Sequence, residues 1–137
     1  MWVLFAFLSA FFAGMTSILA KCGIKKTDSN VATFIRTLVV LPLSLLMALI
    51  VNPNFSLGAV SSKTLVFLVL SGLSTGASWL CYYKALQDGE AGIVVPIDKL
   101  SILVTIAFSY IVFKERLSKK AMLGLVMIVF GTLVLLV

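Results

Sequence analysis

Five stretches of the chain are apolar for long enough to cross a bilayer, and this limits what it can fold into more than any other feature. They cover residues 2–20, 31–51, 65–83, 93–113 and 121–137. A hydrocarbon core about 30 Å thick takes about 20 apolar residues to span as a helix, and every run comes within a few residues of that. Inside lipid the backbone has no water to bond, so only helices and closed barrels cross. Barrel strands alternate in polarity over about 10 residues. These runs are continuous, so the expected fold is all-α, with five transmembrane helices in one domain covering residues 1–137. The first run has no basic segment before it and four further spans after it, so it is expected to be a retained helix rather than a cleaved leader.

Composition supports the same class. Hydrophobic residues make up 61% of the chain and charged residues 12%, against about 45–50% and 25% in soluble domains. The net charge of +6 comes from basic residues scattered between apolar runs, so no nucleic-acid partner is expected. The chain has no histidine, which removes His-based catalysis and His-ligated metal sites. Cys22 and Cys81 lie far apart, with no CxxC spacing. No metal, cofactor or catalytic centre is expected.

The connections are short and carry turn chemistry. Asp28, Ser29 and Asn30 are candidate caps for the second helix, and Ser61 or Ser62 for the third. An odd number of spans puts the termini on opposite faces, so two copies in opposite orientation make an inverted pair, the plan on which many carriers are built. Basic residues set orientation. Lys63, Lys114, Arg116, Lys119 and Lys120 fall on the N-terminal side, and Lys21, Lys25, Lys26, Arg36 and Lys84 on the other. Five against five is the balance of a chain that inserts both ways and pairs antiparallel; the other reading is a noisy count, since Arg36 lies slightly inside its helix and excluding it leaves five against four.

Charged residues within a span are functional candidates by default. Asp98 and Lys99 are the clearest pair. With a helix starting near Gly92, Asp98 lies roughly 9 Å in, and Ser101, Thr105 and Ser109 continue a polar stripe from it at helical spacing. If Pro96 is instead the first helical residue, Asp98 is a first-turn anion favoured by the helix dipole. Neighbouring residues point about 100° apart on a helix, so Asp98 and Lys99 need not pair. Arg36 either snorkels to the interface or meets a substrate or Asp98. Lys21 and Lys84 are expected as interfacial anchors. The third helix is small and hydroxylic at one end and aromatic at the other. Gly72 and Gly76 form a GxxxG that allows close helix approach. Trp79 is placed to wall a cavity, and Tyr82 and Tyr83 to join an interfacial belt. Gly124 and Gly131 share a face of the fifth helix, for packing within one chain or between two.

Three stretches, Tyr83-Lys84-Ala85-Leu86-Gln87-Asp88-Gly89-Glu90-Ala91, Val95-Pro96-Ile97-Asp98-Lys99-Leu100-Ser101 and Lys114-Glu115-Arg116-Leu117-Ser118, resemble the EamA domain, the repeat unit of the drug/metabolite transporter superfamily. Lys21-Cys22-Gly23-Ile24 and Phe34-Ile35-Arg36-Thr37 fit the same pattern. Most members carry two such domains; this chain has one, like the half-size five-helix branch of bacteria and archaea. The resemblance implies a secondary carrier of the inner (cytoplasmic) membrane. Its implied partners are membrane lipid, a small-molecule metabolite and a second copy of the chain, with the path between two inverted halves. In the related four-helix multidrug pumps a carboxylate stands in the middle of helix one. Here no charged residue precedes Lys21, which argues against proton-coupled export of cationic drugs by that route. The alternatives are a flippase-type subunit for a lipid-linked head group and a structural membrane subunit.

Overall fold

The computed structural model describes residues 1–54, 56–114 and 116–137. Glu115, part of the most specific stretch of the resemblance, lies outside the described residues. Helices form at all five expected places. They are α1 (Trp2–Ile24), α2 (Ser29–Val51), α3 (Ser62–Asp88), the successive α4 (Ala91–Asp98) and α5 (Ser101–Phe113), and α6 (Lys119–Val134), with a 3₁₀ turn at Leu57–Ala59. No strand is present among the described residues. Trp2–Ile24, Ser29–Val51, Ser62–Asp88 and Ala91–Phe113 are long and apolar enough to cross a membrane. At 1.5 Å per residue, the 23 residues of α1 or α2 reach about 34 Å. The 16 residues of α6 reach only about 24 Å.

Capping chemistry sets several boundaries. The Asp28 carboxylate accepts from the N–H groups of Asn30 at 2.8 Å and Val31 at 3.4 Å, satisfying two of the four orphan donors that open α2. Ser61 Oγ accepts from the Thr64 N–H ahead of α3. Ser118 does the same for Ala121 in α6. At the other end of α5, Lys114 takes the left-handed conformation (φ 55°), and its N–H bonds the Ser109 carbonyl.

The chain divides into two compact units, residues 1–88 and 89–137. In the first, α1, α2 and α3 pack on one another, and the buried residues lie towards one end. Ser17 and Ile24 of α1, Ser29 and Thr33 of α2, and Tyr83 and Leu86 of α3 are buried. These positions fall at the C-terminal end of α1, the N-terminal end of α2 and the C-terminal end of α3. Towards the far ends, side chains such as Phe5, Leu46 and Phe67 are exposed. In the second unit α4 packs on α6, and Thr132 is buried, its hydroxyl returned to the Ile128 carbonyl.

The expected continuous fourth helix, residues 93–113, is two helices. Around Lys99 and Leu100 the α-helical bonding tightens to the i→i−3 pattern. Lys99 N–H reaches the Pro96 carbonyl at 3.1 Å, Leu100 the Ile97 carbonyl at 2.9 Å, and Ile102 the Lys99 carbonyl at 3.1 Å. Such a 3₁₀ stretch inside a helix commonly marks a functional hinge. Upstream, Pro96 is the sixth residue of α4 and donates no N–H to it. The alternative start at Pro96 is therefore corrected: the helix opens at Ala91, and Asp98 is its last residue rather than a first-turn anion.

Candidate functional site

The packed end of the first unit is built around α3, which offers two adjacent faces. Tyr82 and Leu86, four residues apart, share the face that meets α1. The Tyr82 hydroxyl donates to Ser17 Oγ at 2.7 Å, and the Lys21 ammonium donates to the Leu86 carbonyl at 2.6 Å. Trp79 and Tyr83, also four apart, share the face that meets α2. There the Arg36 guanidinium lies 4.1 Å from the centroid of the Trp79 ring and 5.7 Å from that of Tyr83. Its Nη1 donates to the Tyr83 hydroxyl at 3.2 Å. Gln87 closes the end, donating to the Thr27 carbonyl in the α1–α2 turn.

These contacts bear on three expectations. Tyr83 is 4% exposed and so is not an outward-facing belt residue, while Tyr82 is half-buried on a helix that runs on to Asp88. Lys21 is tied to α3 rather than serving only as an anchor. Lys84 makes an i,i+4 ion pair with Asp88 at 3.1 Å, both exposed. Such surface pairs contribute little.

Arg36 stands seven residues beyond the start of α2, about 10 Å along its axis. An arginine at the centre of a span carries a penalty of about 2.5–3.5 kcal/mol on insertion scales. Arg36 stands short of the centre of α2 and is half-buried, and its position over the Trp79 ring offsets part of that cost. No carboxylate of this unit lies within ion-pair distance of Arg36 among the described residues. A guanidinium has five N–H donors, and here one is directed to Tyr83. A cavity of about 240 Å³ opens beside it, lined by Gly23 and Ile24 of α1, Ala32 and Ile35 of α2, Arg36 and Tyr83.

In the second unit Asp98 and Lys99 do pair, at 3.6 Å, although they are neighbours in sequence. The tightened backbone at Lys99 brings their side chains onto one side. Asp98 is half-buried and Lys99 exposed. Placed last in α4, Asp98 sits where the helix dipole is negative and disfavours an anion, whereas Lys99 is favoured there. Ser101 and Thr105 follow on α5, the Thr105 hydroxyl bonding the Ser101 carbonyl. Between α5 and α6 lies an apolar cleft of about 340 Å³ with Leu103, Val129 and Phe130 on its walls.

The glycine expectations split. A side-chain carbon built at Gly72, Gly76, Gly124 or Gly131 meets nothing within 4 Å. Among the described residues no helix of the same compact unit approaches any of the four within that distance, and packing between copies is left to test. Sequence reasoning named Arg36 and Trp79 but missed Tyr83, Tyr82, Ser17 and Gln87 as their supports. The signal that was available is the i,i+4 aromatic pair Trp79–Tyr83, on a helix long enough to carry both inside the span.

A model of the EamA-like transporter family matches residues 1–137, spanning both units. The chain belongs to the EamA-like transporter family. A protein of Sinorhizobium sp named as an uncharacterized transporter in the cobO 3' region is 40% identical over 134 residues, covering 98% of this chain and 95% of that one. An uncharacterized protein of Methanocaldococcus jannaschii is 27% identical over 134 residues, covering 97% and 94%. No solved structure matches. This EamA-like chain is thus a multi-pass membrane protein of a transporter family, with two polar clusters, one in each of its compact units.

Proposed function

We propose that this EamA-like protein is a secondary carrier of the cytoplasmic membrane that moves a small metabolite along a path enclosed by two five-helix copies. The observation that carries the reading is the interruption of the fourth span at Asp98, Lys99 and Leu100. Irregular backbone at membrane depth is tolerated only where protein buries it or where it lines a water-filled cavity. Broken helices at mid-membrane are where carriers place their substrate and ion sites. Here the break carries an ion pair, and the hydroxyls of Ser101 and Thr105 follow it. The second copy is supported by the open space beside Gly72, Gly76, Gly124 and Gly131, where an added carbon meets nothing within 4 Å among the described residues of the same unit. With Arg36 inside α2, the basic residues divide five against four between the two faces, a near balance that agrees with an antiparallel pair.

The test is uptake by proteoliposomes across a panel of small metabolites, comparing the native chain with Asp98→Asn. The Asn variant keeps shape and removes charge. It is expected to insert and melt normally while uptake falls at least tenfold, about 1.4 kcal/mol. Full uptake by the Asn variant, with a stability loss only in Asp98→Ala, would reduce Asp98 to a helix-terminus group. Reporter fusions to the C-terminus check the pairing: both orientations are expected, with added lysines in one set of loops biasing them.

A further inference from the structure

We propose that the Arg36–Trp79–Tyr83 cluster is a recognition site for an oxyanion, the carboxylate or phosphate of a small solute. The proposal rests on the carrier reading and adds a substrate class to it. Three observations converge on one ligand chemistry. The guanidinium carbon lies over the Trp79 ring, 4.1 Å from its centroid, and one Nη1 donor is held by Tyr83. A planar fork positioned by two contacts, with Tyr83 its one hydrogen-bond partner among the described residues, suits bidentate capture of a carboxylate or phosphate. The cavity beside it, about 240 Å³, is smaller than the 300–1,000 Å³ usual for drug-sized ligands, and apart from Arg36 and Tyr83 its walls are mainly apolar.

The electrostatics of this end favour the same ligand. By sequence this end carries Lys21, Lys25, Lys26, Arg36 and Lys84 against three carboxylates, Asp28, Asp88 and Glu90 in the turn after α3. Asp28 is engaged in capping α2 and Asp88 with Lys84. The surplus of positive charge raises the local concentration of anions and repels cations. Ser29 and Thr33, on the same stretch of α2, are buried, and the Thr33 hydroxyl returns to the Ser29 carbonyl. Arg36 therefore remains as the strong donor that α2 presents at this end.

The experiment uses the full chain with Trp2→Phe, which leaves Trp79 as the one fluorescent tryptophan. In lipid-free maltoside micelles, succinate and inorganic phosphate are titrated, with choline and glucose as controls. Succinate, phosphate or both should change Trp79 emission saturably, and the controls should not. Arg36→Lys keeps the charge and loses the fork; its half-saturation should rise at least tenfold. Arg36→Gln should abolish the response. An undiminished response in Arg36→Lys, or no response to either anion, overturns the proposal. A second arm compares phosphatidylcholine vesicles with and without phosphatidylglycerol. Emission that follows phosphatidylglycerol alone, with no competition from free anions, makes the occupant a lipid headgroup and overturns the solute assignment. Failure of the carrier reading is distinguishable: Asp98→Asn should keep the fluorescence response while losing uptake. A response without uptake of any anion leaves the site standing and removes the transport.

Discussion

The two compact units differ in how far their polar groups reach. In the first, some hydroxyls bond back within one helix and Lys84–Asp88 is a local pair. Beside these, polar side chains from three helices satisfy one another across helix boundaries, Tyr82 to Ser17, Lys21 to the Leu86 carbonyl, Arg36 to Tyr83. In the second, the charged pair Asp98–Lys99 is made by neighbouring residues at a helix break, with hydroxyls bonded back to their own helices. Cross-helix bonds hold elements together; a local pair at a tightened turn holds nothing but itself. The comparison teaches that polar residues of the first unit tie its helices to one another, so the proposed recognition site there is also structural, whereas the proposed path residues of the second carry no such tie among the described residues.

The sharpest way to break that contrast is at a packed apolar residue. Leu86 is 0% exposed, whereas Leu103 is 39% exposed. Lipid is as apolar as leucine, so truncation in a span loses packing rather than transfer energy. Leu86→Ala is expected to destabilise by about 2 kcal/mol in thermal or denaturant melts. Leu103→Ala should cost under about 1 kcal/mol. Equal losses would end the distinction between the units.

A smaller effect is expected from Tyr82→Phe, which removes the hydroxyl that Ser17 accepts. Interhelical hydrogen bonds in membranes average about 0.6 kcal/mol and reach about 1.7. The double-mutant cycle of Tyr82→Phe with Ser17→Ala should show coupling of that size. Zero coupling would mean the bond does not tie α1 to α3.

Asp98→Asn should move the melting free energy by no more than about 0.5 kcal/mol, although uptake falls. A larger stability loss would show that the second unit also depends on its polar residues for folding. Smallest of all are the glycines. Gly124→Ala and Gly131→Ala should leave the monomer within about 0.5 kcal/mol, because an added carbon meets nothing within 4 Å among the described residues of the same unit. A shift in the dimer fraction in detergent, measured by crosslinking, would then locate them between copies.

Much of the helical framework was legible. A run of about 20 apolar residues has one stable conformation in lipid, and a carboxylate such as Asp28 before such a run has one good use. The helix ends were less legible. Ile24 and Leu86 lie beyond the apolar windows yet inside helices, because packing at that end extends α1 and α3 past the length that lipid requires. The partners of Arg36 were not legible at all. Tyr83 stands 47 positions away in sequence, and local pattern says nothing about which helix faces which.

By itself the sequence determined that this chain crosses a membrane, where its helices run, and that Asp98, Lys99 and Arg36 are its expensive residues. Local chemistry is sufficient for these, since backbone bonding and the transfer of charge into lipid depend only on neighbours along the chain. Only the tertiary structure decided that Arg36 lies on Trp79 with Tyr83 holding one donor, and that the buried residues of three helices lie towards one end. It also settled that the fourth span is broken at Lys99 and Leu100. The first two require bringing distant segments together. The third is a balance between α and 3₁₀ bonding a few residues after Pro96, and the tighter pattern is the one the backbone bonds there adopt.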